Sequence, residues 1–545
     1  MNIEIDDIER IPGIEIFTGS KLKLDIEYES TLPHRDCFKI LEDYLSHPTR
    51  KILLLSGLRR TGKTVLQKQG IALLSAEDFS RAVRMNISEE SDLQFDNITY
   101  LCQILYERGF RWFFIDEASA ALNFPEYCKE LTDTLASYGC HLVLTGTNSL
   151  AMYFAKLKYL EGRYEEIKTT RIPFGEWSRL VSASSKRDND LFDYMRYGGV
   201  LDSNGVPSST ALSVQRMHSF KDINSVDFYT YSAIALNLQN SIARHVEGKE
   251  FGVLRGLYDS NVLTNAIMRM ITLHNYPIAI NSMNESFKFY DVTAARESLQ
   301  PKFPFVRSVI VHNSKQIKDD IAERLNIDNN SPRITKEESQ ALYSYLKEMD
   351  VFSESKVYLM ASADPEIRKN QNLYRERTHI LQTQIGIRYA QVQLALDSIW
   401  EVLRVHGAKI AYNEFDRIAG ANARGRIMED VLIADISELL PKGCSIFKVE
   451  WQQNEAEFDI AIVDNRASEM KISLLEVKHN DEYRSEYTKY FRKDDILNQI
   501  EEAFGKIVSK KLIYNGGNGI ISGVQCVNAT EFLRNISSNI ESVFD

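Results

Sequence analysis

Chain length, composition and charge limit the classes of protein open to this sequence. The chain has 545 residues, of which 44% are hydrophobic and 26% charged, as in a soluble globular protein of about two to four domains, and this argues against long disorder. The formal net charge of −11 argues against a protein coated in nucleic-acid-binding charge, although a local basic groove is compatible with it.

The N-terminus and the hydropathy pattern predict a cytoplasmic protein without a membrane-inserted segment. Residues 1–10 are acidic and lack the basic start and apolar run of a secretory signal. No stretch approaches the roughly 18 uninterrupted apolar residues of a spanning helix. The cysteines form no close pair of the kind that binds zinc or makes a redox couple. We therefore expect core thiols at Cys37, Cys102, Cys128, Cys140, Cys444 and Cys526.

The first 150 residues alternate between apolar strands and helical spacing of apolar positions. This alternation predicts an α/β fold with a parallel sheet covered on both faces. The predicted strands are residues 51–56, 81–87, 112–115 and 142–145, and the predicted helices include residues 65–74 and 126–138.

A glycine-bearing turn between the first of these strands and its helix matches the phosphate-loop pattern G-x-x-x-x-G-K-[ST]. Glycines let the backbone curl so that successive N–H groups point at phosphate oxygens, and the helix adds its positive N-terminal end. Lys63 is expected to reach the β- and γ-phosphates of ATP, and Thr64 to ligate Mg²⁺. The predicted nucleotide contacts in this loop are Gly57, Arg60, Thr61, Gly62, Lys63 and Thr64.

A second apolar strand ends in two carboxylates, Asp116 and Glu117. In this position Asp116 is expected to hold the magnesium shell and Glu117 to polarise the attacking water. A solvated strand end produces such a pair by chance in some proteins, but the two motifs in this order favour an ATP site.

Two further segments supply candidate nucleotide contacts. The strand before Thr147 and Asn148 ends in a polar cluster, which either senses the γ-phosphate or forms an ordinary turn. Arg163, in a Gly-Arg-Tyr segment, either contacts the nucleotide or a lid, or is a surface arginine.

These motifs together resemble a family of prokaryotic AAA+-type ATPases over residues 30–205. That family carries G-x-R-R-x-G-K-T, D-E, T-G-S-like, G-R-Y, P-F and R-Y-G-G segments, and the last two correspond here to residues 173–174 and 196–199. The resemblance implies that a winged-helix segment and a C-terminal domain similar to PD-(D/E)XK nucleases follow.

The middle of the chain becomes helix-rich from about Phe192. A capping box at residues 335–338 begins a helix, and a strand follows at residues 355–360, so we interpret this segment as winged-helix-like. Helices run to Trp400 and over residues 425–440. Short apolar strands then predominate, at residues 445–451, 458–463 and 472–477.

Acidic and basic residues at the ends of the last two strands suggest a metal site. Glu476 and Lys478 project to the same side of one strand, and Asp459 approaches Glu476 if the two strands form a hairpin. The two carboxylates suit Mg²⁺ or Mn²⁺, and Lys478 is expected to stabilise the charged reacting group. The resemblance adds Glu429 as an acidic ligand and, by a weak match, Gln499 over the site. An E-x-K tripeptide alone is often a simple charge pair on a strand.

The sequence predicts an ATPase domain over residues 1–205, a helical, winged-helix-like region over 206–373, and a nuclease-like α/β domain over 374–545. The first functional interpretation is an ATP-dependent DNA nuclease, which in prokaryotes suggests defence against phage or plasmids. The alternative is a nucleotide switch that binds a partner protein or DNA through an inactive nuclease-like domain. A helicase would need a second motor core, which the sequence does not show. Homo-oligomers remain open.

Overall fold

The computed structural model describes residues 12–88, 93–147, 149–184, 191–199, 201, 234–245, 252–297, 309, 314–324, 334–362, 372–452 and 455–544. Two β-sheets organise this part of the chain. The strands are β1 Ile14–Phe17, β2 Ile52–Ser56, β3 Ala82–Ile87, β4 Trp112–Asp116, β5 His141–Gly146, β6 Tyr164–Lys168, β7 Phe352–Met360, β8 Tyr374–Gln382, β9 Cys444–Trp451, β10 Glu457–Asp464, β11 Lys471–Lys478, β12 Lys506–Tyr514, β13 Gly519–Ile521 and β14 Val524–Asn528.

Helices cover both sheets and form most of the described middle of the chain. In the N-terminal part they are α1 Gly19–Ile26, α2 Phe38–Ser46, α3 Lys63–Ala72, α4 Ala76–Ser80, α5 Phe95–Glu107, α6 Phe124–Leu131, α7 Ser149–Phe154, α8 Phe174–Ser184 and α9 Leu191–Tyr197. Further along they are α10 Leu236–His245, α11 Leu254–Asp259, α12 Leu263–Glu297, α13 Ser314–Arg324, α14 Lys336–Glu348, α15 Ile385–Val405, α16 Tyr412–Phe415, α17 Ala421–Leu439, α18 Asp494–Phe504 and α19 Ala529–Ser538.

The first sheet has the strand order β1-β3-β4-β5-β2-β6. Strands β2 to β6 run parallel, and β1 pairs antiparallel with β3. Every residue of β2 and of β4 is buried, as expected for parallel strands with helices on both faces. The predicted α/β fold with a parallel-rich sheet is therefore confirmed for this part of the chain.

The second sheet has the order β13-β14-β12-β11-β10-β9-β7-β8. Strands β9, β10 and β11 form an antiparallel meander, and β12 pairs parallel with β11 after the crossover through α18. Helix α17 precedes this meander and packs on it, with Ile427, Met428 and Leu432 buried. The chain order in this region is therefore helix, three antiparallel strands, helix and parallel strand.

The winged-helix-like segment differs from its prediction. The capping box is present, since the Thr335 hydroxyl accepts from the Glu338 N–H at 3.1 Å and the Glu338 carboxylate accepts from the Thr335 N–H at 2.6 Å. The following strand β7 does not form a separate wing, however, because it pairs with β8 and with β9 in the second sheet. The β7–β8 pair therefore crosses the boundary predicted at residue 374.

Within the part of the chain that the structure describes, no helix has the length and apolar character needed to cross a membrane. Four of the six cysteines are buried, two are partly buried, and none is in a disulfide.

Candidate functional site

The loops that follow β2, β4 and β5 meet at one edge of the first sheet. Strand β5 lies between β2 and β4, and all three run in the same direction. Parallel strands place their carboxyl ends together, and ligands of open α/β sheets bind in the crevice outside those ends. The predicted phosphate loop, the two carboxylates and Thr147 are therefore brought together.

The phosphate loop depends on backbone conformations that suit glycine. Gly57 has φ of +148°, and a Cβ there would lie 2.5 Å from the Thr169 hydroxyl oxygen, closer than real Cβ atoms come. Gly62 has φ of +88° at the start of α3, and Arg60 takes a left-handed φ of +63°. The loop is thus the tight turn that the pattern predicts.

Lys63 lies inside this loop. Its ammonium donates to the carbonyl oxygens of Gly57 at 3.0 Å and Leu58 at 2.9 Å, and the residue is buried. The Thr61 hydroxyl braces the same turn by donating to the Leu58 oxygen at 2.8 Å. A buried ammonium at the head of a helix is suited to compensating phosphate charge.

Asp116 is buried at the end of β4 among hydroxyl and guanidinium donors. Arg84 on β3 donates to it at 2.6 Å, the Thr64 hydroxyl lies 3.4 Å from its other oxygen, and the Thr145 hydroxyl also donates to it. The Thr64 hydroxyl and the Asp116 carboxylate are oxygen ligands of the kind that Mg²⁺ takes, so the donor set fits that cation.

Glu117 is held in a left-handed conformation with φ of +54°. Its carboxylate accepts from the N–H and the hydroxyl of Thr147 at 3.2 and 3.0 Å, and its own N–H donates to the Thr145 hydroxyl at 3.1 Å. Asn237 of α10 donates to the Thr147 carbonyl at 2.5 Å. The middle region of the chain therefore contacts the loop that holds the carboxylate.

Of the two remaining predicted contacts, only Arg163 can be placed, and it does not join this group. Asn148 lies outside the described residues. Arg163 precedes β6 and pairs with Asp133 at 3.1 Å on the surface. Because β6 runs parallel to β2, Arg163 lies beside Ile52, where β2 begins, and not beside Ser56, where the phosphate loop begins. Arg163 therefore lies at the opposite end of these strands from the phosphate loop, as in the surface-arginine alternative.

Sequence reasoning missed Arg35, which anchors the phosphate loop. Its guanidinium pairs with buried Glu176 at 2.5 Å and donates to the carbonyl oxygens of Thr61 at 2.6 Å and Thr169 at 3.0 Å. Glu176 lies 141 positions from Arg35 in the sequence. The spacing along the chain therefore gives no local signal of the pair.

A second site lies at the end of the β10–β11 hairpin, in a cleft of about 1160 Å³. Asp459 accepts from the Val477 N–H at 2.7 Å and from the Lys478 ammonium at 3.1 Å, and Lys478 also donates to Glu476 at 2.9 Å. The predicted hairpin and the predicted meeting of these three side chains are both present.

The carboxylates of this hairpin have opposite pKa shifts. Burial raises the pKa of Glu476 well above its usual value, and its Oε1 is buried without a hydrogen-bond partner among the described residues. Burial also raises the pKa of Asp459, but the charges of Lys478 and Lys448 outweigh it and lower the pKa overall. An orphaned, buried carboxylate oxygen beside an ionised carboxylate fits a bound cation.

Glu429 does not complete a three-carboxylate ligand set. Its carboxylate pairs with Lys448 of β9 at 2.5 Å. Across the described ranges, no group of three or more His, Cys, Asp or Glu side chains is arranged to hold a metal ion. The metal role predicted for Glu429 is therefore corrected: its carboxylate is neutralised by a lysine that sequence reasoning missed. The signal was a lysine within the apolar run of β9.

Gln499 is also placed differently from its prediction. It is buried, accepts from the Trp451 indole at 2.8 Å and donates to the Ala361 carbonyl at 3.2 Å. It therefore holds α18 against the sheet and does not line the cleft.

Charges of both signs line the cleft in nearly equal number. The basic side chains are Arg417, Arg426, Lys448, Lys478 and Arg484, and the acidic ones are Glu285, Glu429, Glu450, Glu457, Asp459 and Glu486. The side chains of the cleft therefore exert little net electrostatic attraction on a polyanion such as DNA.

Comparison with known proteins decides the nature of the first site. Residues 49–178, which contain the phosphate loop, both carboxylates and Thr147, match the model of a family described as an AAA domain. This region is similar to an AAA domain.

Similarities to individual proteins add little to the family match. An uncharacterised protein of Haemophilus influenzae is 28% identical over 165 residues, which is 27% of this chain and 39% of that protein. A Walker-type ATPase of Pyrococcus abyssi is 11% identical over 66% of this chain and 95% of its own, with a TM-score of 0.30. Cdc6p of Pyrobaculum aerophilum is 14% identical over 74% and 98%, with a TM-score of 0.23. TM-scores this low do not establish a common fold.

Hydrogen bonds join the AAA domain to the start of α15 close to the phosphate loop. The Gly386 N–H of α15 donates to the Gly198 carbonyl at 3.1 Å, and the Leu201 N–H donates to the Arg60 carbonyl of the phosphate loop at 2.7 Å. Gln384 donates to the Thr170 carbonyl at 2.7 Å. The segment around the R-Y-G-G motif thus bridges the phosphate loop of the AAA domain and α15.

Proposed function

We propose that the AAA domain binds ATP with Mg²⁺ and hydrolyses it. Lys63 compensates the charge of the β- and γ-phosphates, and Thr64 and Asp116 would hold the magnesium ion, which neutralises charge that develops on the phosphate oxygens. Glu117 orients and polarises the attacking water. The hydrogen bonds of Asp116 with the Thr64 and Thr145 hydroxyls, and the buried position of Lys63, support these roles.

Thr147 is proposed to report the γ-phosphate to Glu117. Its N–H and hydroxyl both bond to the Glu117 carboxylate at 3.0–3.2 Å, so Glu117 cannot receive a water through the same oxygen while both bonds persist. A γ-phosphate that draws the Thr147 donors toward itself would release Glu117 for catalysis.

We further propose that the second domain cleaves DNA with Mg²⁺ or Mn²⁺. The observation that carries this proposal is the orphaned Oε1 of buried Glu476 beside the ionised Asp459. Asp459 and Glu476 would hold the metal, which supplies an activated water and charge stabilisation. Lys478 stabilises the negative charge that develops on the scissile phosphate. The helix, three-strand meander, helix and parallel strand order supports a restriction-endonuclease-like domain.

Metal binding at this cleft tests the proposal apart from any DNA. We expect nucleotide-free protein to bind Mn²⁺, as followed by electron paramagnetic resonance, and the isosteric Glu476→Gln variant to lose this binding. Glu486→Gln, which removes an exposed carboxylate from the same cleft, is the matched control and is expected to bind Mn²⁺ as the wild type does. Equal binding by all three proteins would contradict the metal site.

One observation favours a second candidate, a nucleotide switch whose nuclease-like domain only binds a partner protein or DNA. Lys448 pairs with Glu429, and Lys478 pairs with both Asp459 and Glu476, and such pairing stabilises a cleft without any metal. A protein that binds DNA with the same affinity in EDTA and in Mg²⁺, and never cleaves it, would support the switch.

We propose defence against phage or plasmids as the biological setting of the DNA cleavage. It predicts that cells expressing the wild-type chain reduce phage plating, and that cells expressing Lys478→Ala do not. Equal phage plating on both strains would contradict the defence role, and would leave the proposed DNA cleavage to be tested separately.

A further inference from the structure

A second cavity, of about 570 Å³, lies beside the carboxylate–lysine cleft. The R-Y-G-G motif contributes Arg196 to its wall, and α9 also contributes Phe192. The ATP site does not use this motif. The volume lies in the range of about 300–1,000 Å³ that small-molecule sites occupy.

One wall of this cavity is aromatic. Phe192 packs edge-on against Tyr389 with ring centroids 6.1 Å apart, and the His479 ring lies 6.3 Å from Phe192. The Arg196 guanidinium lies 5.6 Å from the centre of the Phe192 ring and is exposed. Flat rings and a guanidinium plane are the surfaces on which nucleic-acid bases stack.

Other side chains that line the cavity are polar and hydrogen-bonded to one another. The Tyr412 hydroxyl donates to Asp397 at 2.6 Å, and the Gln393 amide donates to the Tyr412 oxygen at 2.9 Å and to Asp397 at 3.1 Å. Carboxylate, amide and hydroxyl groups are the partners that read the hydrogen-bonding edge of an unpaired base. The cavity lining therefore offers both aromatic rings and polar groups.

The cavity adjoins the cleft at one residue. His479 lines both spaces and directly follows Lys478, which contacts Asp459 and Glu476. A strand whose phosphate lies at Lys478 would therefore place a neighbouring base at this cavity.

We propose that this cavity takes an unpaired nucleobase of the DNA strand that enters the cleft. The inference rests on the proposed nuclease function and deepens it, because it makes the substrate a single-stranded or locally opened DNA. A free nucleotide offers the same base chemistry. Because His479 lines both the cavity and the cleft, a base that arrives with a strand is favoured.

The test measures the affinity of a fluorescein-labelled single-stranded oligonucleotide, its blunt duplex and AMP in Mg²⁺, using full-length protein in a Lys478→Ala background that stops cleavage. Tyr389→Leu removes the ring face and keeps an apolar side chain, and Arg196→Ala removes the guanidinium. We expect tighter binding of the single strand than of the duplex, and a roughly 5- to 150-fold loss of single-strand affinity in each variant. ATP turnover reports that the variants fold.

Tyr100→Leu and Arg255→Ala replace exposed residues of the same types away from the cavity and are expected to keep full affinity. Unchanged single-strand affinity in Tyr389→Leu and Arg196→Ala would overturn the base site, and metal-dependent cleavage by the wild type would then leave the nuclease proposal standing. AMP binding that depends on Tyr389 without any effect on the oligonucleotide would assign the cavity to a free nucleotide and overturn the strand proposal. No DNA binding by any protein would overturn both.

Discussion

Asp435 of α17 accepts hydrogen bonds from the Arg171 guanidinium and from the Phe174 N–H, the latter at 2.9 Å. The Arg171 carbonyl accepts a hydrogen bond from the Arg35 guanidinium. The same guanidinium donates to the carbonyl of Thr61 in the phosphate loop. The same helix α17 carries Glu429 at the cleft. Polar contacts therefore join the phosphate loop to α17, the helix that carries Glu429 at the cleft.

We predict that this connection couples nucleotide state to DNA cleavage. In a Glu117→Gln background, cleavage with ATP is expected to differ from cleavage with ADP by about 5- to 150-fold, the range of a 1–3 kcal/mol coupling free energy. Asp435→Asn should abolish that difference, because it removes the ion pair with Arg171 and keeps the size of the side chain.

Glu438→Gln is the matched control for this coupling. Glu438 also pairs with Arg171, but its side chain is 47% exposed against 3% for Asp435. Exposed ion pairs contribute only about 0–1 kcal/mol, so the nucleotide dependence should survive in this variant. If the Glu117→Gln protein without a further substitution cleaves DNA at equal rates with ATP, with ADP and with no nucleotide, the two domains act independently.

Two variants of the AAA domain separate binding of ATP from its turnover. Lys63→Ala is expected to lose ATP binding, because the phosphate charge is left uncompensated in a buried loop. Glu117→Gln should retain ATP and lose hydrolysis, because an amide does not polarise the water. Nucleotide affinity by calorimetry and phosphate release measure the two properties. Wild-type affinity in Lys63→Ala would overturn the assignment of this lysine.

The buried pair of Lys448 and Glu429 is expected to respond differently to single and double replacement. Lys448→Met alone should destabilise the protein by about 3–5 kcal/mol, because Glu429 is left as an uncompensated buried charge. Lys448→Met with Glu429→Gln should recover most of that loss. Chemical denaturation measures both.

Cleavage by the double variant then tells whether the pair is more than structural. A stable double variant that no longer cuts DNA assigns the pair a role in positioning the reacting groups. A stable double variant with full activity would restrict it to folding.

We predict that His274 makes the stability of the fold sensitive to acid. Burial, followed by the charge of Arg388, lowers the pKa of His274 to about 3, and its Nε2 is buried without a partner among the described residues. Its neutral form is therefore favoured in the fold, whereas the unfolded chain takes up the proton near pH 6.5. The contribution of neutral His274 to stability is therefore fully present above pH 6.5, and it is lost as the pH falls from 6.5 toward 3.

At pH 5 this loss amounts to about 2 kcal/mol from the one histidine. Denaturation of the wild type and His274→Gln at pH 7.5 and pH 5 measures it, since contributions of the other histidines cancel in the comparison. Parallel losses in the two proteins would contradict the predicted role of this ring.

The elements that carry both sites follow from local patterns in the sequence. Apolar runs predicted β2, β4 and β5, and the polar turn between two apolar runs predicted the β10–β11 hairpin that joins Asp459 to Glu476. These features depend on neighbours along the chain, and periodicity therefore reveals them.

Contacts between distant segments were not predictable in this way. Arg35 lies 26 positions from Thr61, and Asn237 lies 90 positions from Thr147, so no spacing rule links them. Strand β7 looked like part of a winged helix because its partner β9 lies far along the chain. Arg163 shows a different limit: its motif resembled a nucleotide contact, but strand direction places it at the start of β6.

DNA cleavage by the pure full-length chain tests the account most directly. Wild-type protein and Asp459→Ala are incubated with ATP and either single- or double-stranded DNA, in Mg²⁺, Mn²⁺ or EDTA, and the products are separated on a gel. We predict metal-dependent cleavage by the wild type, none in EDTA, and none by Asp459→Ala although it still hydrolyses ATP. Cleavage by Asp459→Ala at the wild-type rate, or intact DNA under every condition, would contradict the proposed nuclease site.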